Sequence, residues 1–251
     1  MRQLKPRFIL AAPGDKHRTD LVTIYSHPEP DTRYTMGIDA ATGFGADYTS
    51  IKVFSNRMPF EEVAWLRHKR ITTVKGSEVA NNLGRYYNTA FIVAETRHPG
   101  NAYVDNLIEV YCYGNLFRRK QVLDEDPTVS SKYGICTTEA DKHLLINQTK
   151  ALMENPDGPQ VIFHDGILLN EFCNYVYIED KRKTGAGEGF FDDTVMAAML
   201  ALHGCSLHPQ AARKEIELYN PKEEDNAHKQ YLMEINRPRI KEGQERKVVI
   251  V

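Results

Sequence analysis

Apolar and polar positions fall into short blocks that alternate between strand-like and helix-like spacing along the 251-residue chain. Residues 33–40 and 48–55 read as strands, and Gly43-Phe44-Gly45-Ala46-Asp47 supplies a hairpin turn between them. Residues 61–68 fit a third antiparallel strand. Val79, Leu83 and Tyr86-Tyr87 recur at helical spacing, which predicts a helix over about 75–88. The run from Ala90 to Glu95 is apolar until its last residue and suits a strand buried on both faces. Pro99-Gly100 breaks the chain, and 101–110 reads as a helix with Val104, Leu107 and Ile108 on one side. Leu116-Phe117 follows as a short strand, and 124–134 as a polar loop.

Thr138 with Asp141 three positions later resembles a capping box, so a helix is expected to start there. It runs through Leu144, Leu145, Thr149 and Leu152 and stops near Asn155-Pro156. A helix over 166–174 and a strand over 175–179 come next. Residues 180–189 read as a basic, glycine-rich flexible loop, and 192–203 as a helix of small and apolar residues. This order predicts one mixed α/β domain over 32–206, with helices on both faces of a sheet. Residues 1–31 are expected to form a linker or N-terminal arm, and 207–251 a C-terminal extension. The strand near Ala90 is expected to lie parallel to the Met36 strand. Their C-terminal ends would then bring Asp39 and Glu95 to one edge of the sheet.

Composition narrows the function classes. A net charge of −2 gives no global attraction to nucleic acid, so any such contact must use local basic patches. Cys112, Cys136, Cys173 and Cys205 are scattered, with no spacing that suits zinc or a disulfide framework, and read as reduced thiols. The longest apolar stretch, 195–202, is too short to span a bilayer. Met1 to Ala12 lacks the features of a signal peptide, which points to a soluble intracellular protein without a membrane partner.

Chemistry is concentrated in acids. Asp39, Glu95 and the Asp192-Asp193 pair each lie at an end of an apolar stretch. Two carboxylates ~4 Å apart at an effective dielectric of ~20 repel by roughly 4 kcal/mol, so a fold that gathers several needs protons or cations to neutralise them. Oxygen donors of this kind suit Mg²⁺ or Mn²⁺, and a pair of such ions can activate water at a phosphodiester. Each acid also has a plainer reading. Asp39 suits a turn, Glu95 an exposed strand end, and Asp192 and Asp193 the N-terminus of a helix. Helical spacing does not decide which of the last two faces a metal.

Four blocks in order resemble the nuclease domain of tailed-phage terminase large subunits, enzymes that cut concatemeric DNA during genome packaging. They are Gly37-Ile38-Asp39-Ala40 with Gly45-Ala46-Asp47-Tyr48-Thr49; Ile92-Val93-Ala94-Glu95 with Gly100; Gly134 with Thr137-Thr138 and Lys142; and Phe191-Asp192-Asp193-Thr194-Val195-Met196-Ala197. The resemblance covers roughly residues 34–203. It implies an RNase H-like fold and a two-metal site taking Mg²⁺ or Mn²⁺. Asp39 would be the central bridging acid and Glu95 the second ligand, with one or both of Asp192 and Asp193 completing the set. Asp47 matches a recurrent acid and reads as structural. Lys142 matches a recurrent lysine, either a DNA contact or a solvated helix residue. The implied partners are double-stranded DNA, an ATPase motor domain, a small terminase subunit and a portal, in the cytoplasm of an infected bacterial host.

The chain departs from the family pattern in three places. Thr96 follows the second acid where Asn is frequent, and Phe191 precedes the Asp pair where His is frequent. No G-x-x-x-x-G-K-[ST] phosphate loop occurs, so the chain reads as an isolated nuclease domain or a separately encoded relative. Arg67-His68-Lys69-Arg70, Arg118-Arg119-Lys120 and Lys181-Arg182-Lys183 are candidate phosphate contacts. The last is expected to clamp duplex DNA beside the acids. His98 and His164 are the histidines expected nearest the site, hydrogen-bonded or exposed rather than metal-bound. A metal-dependent endonuclease acting on duplex DNA leads. A structure-selective nuclease such as a Holliday-junction resolvase, and a packaging-motor docking module with a vestigial site, are the alternatives.

Overall fold

The computed structural model describes residues 8–10, 22–44, 47–119, 133–178 and 183–211. All the described residues belong to one compact unit. Its centre is a seven-stranded mixed sheet. β1 (Phe8–Leu10), β2 (Val22–Ile24), β3 (Tyr34–Asp39), β4 (Thr49–Ser55), β5 (Phe60–His68) and β6 (Phe91–Ala94) lie in the spatial order β1-β2-β5-β4-β3-β6. β7 (Val161–Ile162) pairs in parallel with the start of β5. β3, β4 and β5 form the expected antiparallel meander, and β6 runs parallel to β3 with Ile38 opposite Ala94. Bridges from Ile92 to Leu116 and from Glu95 to Ile135 continue the pairing beyond β6.

Side chains alternate across β3, so Met36 and Ile38 face one side and Thr35, Gly37 and Asp39 the other. α1 (Thr73–Tyr86) and α2 (Gly100–Asp105), which runs on into a π-helical turn over Asn106–Val110, cover the first side. There Val79, Leu83, Tyr103, Val104 and Leu107 share a core with Met36, Ile38, Ile51 and Leu66. α3 (Glu139–Met153), α4 (Gly166–Cys173) and α5 (Asp193–Leu207) cover the second side. Leu145, Leu168, Val195, Met199 and Leu202 pack there with Phe54, Phe60 and Val93. α5 is apolar all round and buried nearly throughout, as expected of a core helix. It crosses β3 so closely that a Cβ on Gly37 would stand 1.9 Å from the carbonyl oxygen of Ala197.

The expected capping box is present. Thr138 Oγ1 accepts from the Asp141 N–H at 3.2 Å, and Asp141 Oδ2 accepts from the Thr138 N–H at 2.8 Å. Elsewhere the sequence expectations need revision. Lys183–Ala186 is a strand, β9, paired antiparallel with β8 (Tyr175–Ile178) in a separate hairpin, not part of a flexible loop. Its sequence carries no hydrophobic alternation, and backbone pairing with β8 joins contacts to Glu139 and Asp192 in holding it. Val22–Ile24, inside the stretch read as an arm, joins the sheet through β5. Among the described residues no helix is long and apolar enough to cross a membrane.

Candidate metal centre

The C-terminal ends of β3 and β6 meet beside the N-terminus of α5, and each contributes acid. Asp39 is the last residue of β3, and Glu95 follows β6 directly. The Glu95 N–H donates to the Ile38 carbonyl at 2.9 Å, which holds the two acids on neighbouring strands and on the same face. A Cβ on Gly100 would stand 1.9 Å from the Glu95 carbonyl oxygen, so only glycine lets α2 start this close to the site. Asp192 and Asp193 arrive from α5. All four acids line one cavity of about 450 Å³, together with Asp47, Tyr48, Arg97, His98 and Lys142.

Each carboxyl is held by different groups. Asp39 and Glu95 interact through a side-chain hydrogen bond, and the Asp39 pKa lies well above the usual value of 3.8, through desolvation first and then repulsion by Glu95 and Asp193. Glu95 is raised by burial, offset by its bond with Asp39 and by the charges of Arg97 and Lys142. Glu95 Oε1 also accepts from the hydroxyl of Thr137, which is wholly buried. Asp192 Oδ2 accepts from the Ala186 N–H at 3.3 Å, and burial raises its pKa while Lys142 draws it down. Asp193 Oδ1 accepts from the Tyr48 N–H at 3.4 Å. Burial, then repulsion by Asp47 and Glu171, pushes the Asp193 pKa up to about 7. Asp193 Oδ2 is buried and has no hydrogen-bond partner among the described residues.

The donor set is composed of oxygen, it repels itself, and it leaves one buried carboxylate oxygen unsatisfied. Those properties fit a hard divalent cation. Among the described residues, however, no three His, Cys, Asp or Glu side chains stand close enough together to hold an ion as they are.

Lys142 reaches the cavity from α3, with its Nζ 3.8 Å from Glu139 Oε1. Lys183 opens β9 and is exposed, away from the cavity lining, while Lys181 and Arg182 lie outside the described residues. His98 lines the cavity; His164 does not, and its Nε2 instead stands 2.8 Å from Glu61 Oε1. One residue in each of two basic clusters is engaged within the protein. Arg67 is nearly buried and pairs with Glu171 at 2.9 Å, so it is not a solvated phosphate contact. Arg119 donates to the Gly134 carbonyl at 3.0 Å and to the Thr96 hydroxyl. Sequence reasoning missed Thr137, Arg67 and Glu171 as neighbours of the acids. Thr137 stood within a recognised block, but nothing in local spacing marks Arg67 and Glu171, which are 104 positions apart.

Solved structures share this architecture. The large terminase nuclease from thermophilic phage G20c, in a crystal structure with bound magnesium, superposes with a TM-score of 0.57 at 21% identity, covering 78% of this chain and 92% of that one. The same nuclease with bound cobalt gives 0.56 at 21% identity over the same shares. The Thermus phage P74-26 large terminase nuclease domain gives 0.53 at 20% identity, covering 77% and 88%. Neither a protein-family model nor a curated protein matches the chain. At this identity the likeness is one of fold. The chain has the RNase H-like α/β fold seen in phage large terminase nuclease domains.

Proposed function

We propose that the protein is a metal-dependent endonuclease that cleaves double-stranded DNA, in the setting of phage genome packaging. The observation that carries this reading is the convergence of Asp39, Glu95, Asp192 and Asp193 on one cavity at the sheet edge. The magnesium and cobalt bound by the G20c nuclease support the choice of cation class. Asp39, Glu95 and one or both of Asp192 and Asp193 would hold two Mg²⁺ or Mn²⁺ ions. When bound, such ions supply Lewis-acid activation of water and stabilisation of the leaving 3′ oxygen.

The chain's own groups prepare that chemistry. Asp39 lies between Glu95 and Asp193, and a cation held there would offset the repulsion among the three carboxylates. Thr137 fixes the orientation of the Glu95 carboxylate through its hydroxyl. Lys142 offsets the charge of Glu95 and Asp192, and with Lys181, Arg182 and Lys183 it would contact the DNA backbone. An ATPase motor domain, a small terminase subunit and a portal would be the partners, in the host cytoplasm.

Supercoiled plasmid tests the reading. The native chain with Mn²⁺ or Mg²⁺ is expected to nick and linearise it, chelation to stop the reaction, and Asp39→Asn to abolish cutting while the fold is retained. Intact plasmid with the native chain, or undiminished cutting by Asp39→Asn, would remove the nuclease assignment.

A further inference from the structure

We propose that Arg67 and Glu171 are positioning residues that fix Asp193, and the N-terminus of α5 with it, for cation binding; this rests on the metal-centre reading above. The geometry has three parts. Glu171, buried on α4, accepts at Oε2 from both the N–H of Thr194 at 2.9 Å and its hydroxyl at 2.5 Å. It therefore caps the start of α5 from another helix, where Asp192 at the N-cap position makes no side-chain capping bond. Its Oε1 accepts from Arg67 at 2.9 Å.

Arg67 is held from several directions. Its guanidinium lies 3.5 Å from the centre of the Tyr48 ring and 5.3 Å from that of Phe191. A terminal guanidinium nitrogen stands 3.9 Å from Asp193 Oδ2, too far for a hydrogen bond. In the sheet register Arg67 opposes Ser50, and Ser50 opposes Asp39. Arg67 thus lies in the same cross-strand row as the central acid. Tyr48 stacks on Arg67 and also donates its N–H to Asp193 Oδ1. The arrangement orients one Asp193 oxygen and leaves the other buried, near the Arg67 charge but with no hydrogen-bond partner among the described residues. Outer partners of metal-binding carboxylates act in this manner.

For Arg67 electrostatics and positioning make opposite forecasts, whereas for Glu171 both forecast weaker binding, so Arg67→Gln is the deciding variant. Deleting a positive charge beside a cation site tightens cation binding on Coulomb grounds alone. Loss of positioning weakens it. Calorimetric titration of Mn²⁺ into the full chain is expected to show Kd raised about tenfold by Arg67→Gln and by Glu171→Gln. Glu171→Gln retains an acceptor for Thr194 while it removes the ionic tether to Arg67 and a negative charge beside Asp193, so the fold is expected to survive. The double variant is expected to lose no more than either single one, because the pair acts as a unit. Saturating Mn²⁺ is expected to restore plasmid cutting in both variants, which a general loss of folding would not allow. A Kd within about twofold of native, or a tighter one, in folded Arg67→Gln overturns the positioning role. A native chain that binds Mn²⁺ yet leaves plasmid intact overturns the nuclease reading alone, with the tenfold loss still supporting the positioning role. A native chain that binds no Mn²⁺ overturns both.

Discussion

Asp193 sits at the start of a buried helix, with its pKa raised from 3.8 to about 7 by burial and by the neighbouring acids. The folded protein holds a proton that the unfolded chain releases above pH ~4, so this group stabilises the cation-free protein fully below that pH and loses its contribution as pH rises through 7. In chelator, the melting temperature of the native chain is therefore expected to fall relative to Asp193→Asn between pH ~4 and pH ~7. A constant gap between the two across that range would show that Asp193 is not perturbed. Asp39 and Glu95 were legible as candidates because a charge at the end of an apolar run is conspicuous in sequence. Arg67 was not, because a sequence shows charge without showing its partner. The same blindness applies to Lys52, wholly buried in β4 between Glu62 at 2.7 Å and Asp165 at 2.5 Å.

At the scale of elements, the site depends on how tightly α5 lies across β3. Gly37 permits that approach, since any Cβ there meets backbone rather than a movable side chain. Gly37→Ala is expected to destabilise the protein by about 3 kcal/mol, measured by urea unfolding. A loss of less than about 0.5 kcal/mol would mean that the helix can shift freely. The long periodic segments were readable from sequence because propensity, capping and burial agree. The helix from Thr138 is the clearest case, with both capping bonds present. The short elements were not. β2 and β7 have three and two residues, too few for a period to register. β9 includes Gly185, where a Cβ would stand 3.2 Å from the Asp192 carboxylate, a contact that no hydrophobic period marks. The turn from α2 into a π-helical segment also has no signature in the spacing of Val104, Leu107 and Ile108.

For the molecule as a whole, a net charge of −2 means that binding to a polyanion must be local. Replacing Lys181, Arg182 and Lys183 by alanine is expected to weaken DNA binding and to flatten its salt dependence, by about 0.9 in log–log slope for each lost phosphate contact. An unchanged slope would exclude this segment from the DNA interface. The architecture of a meander, a parallel strand and helices on both faces was legible from the order of elements, and it brings Asp39 and Glu95 side by side. Whether that gathering of acids is a cation centre is decided most directly by crystals soaked in Mn²⁺ and measured at the manganese absorption edge. Anomalous density bounded by Asp39, Glu95 and the Asp192-Asp193 pair is the expected result. A cavity without anomalous density in well-diffracting soaked crystals would contradict it.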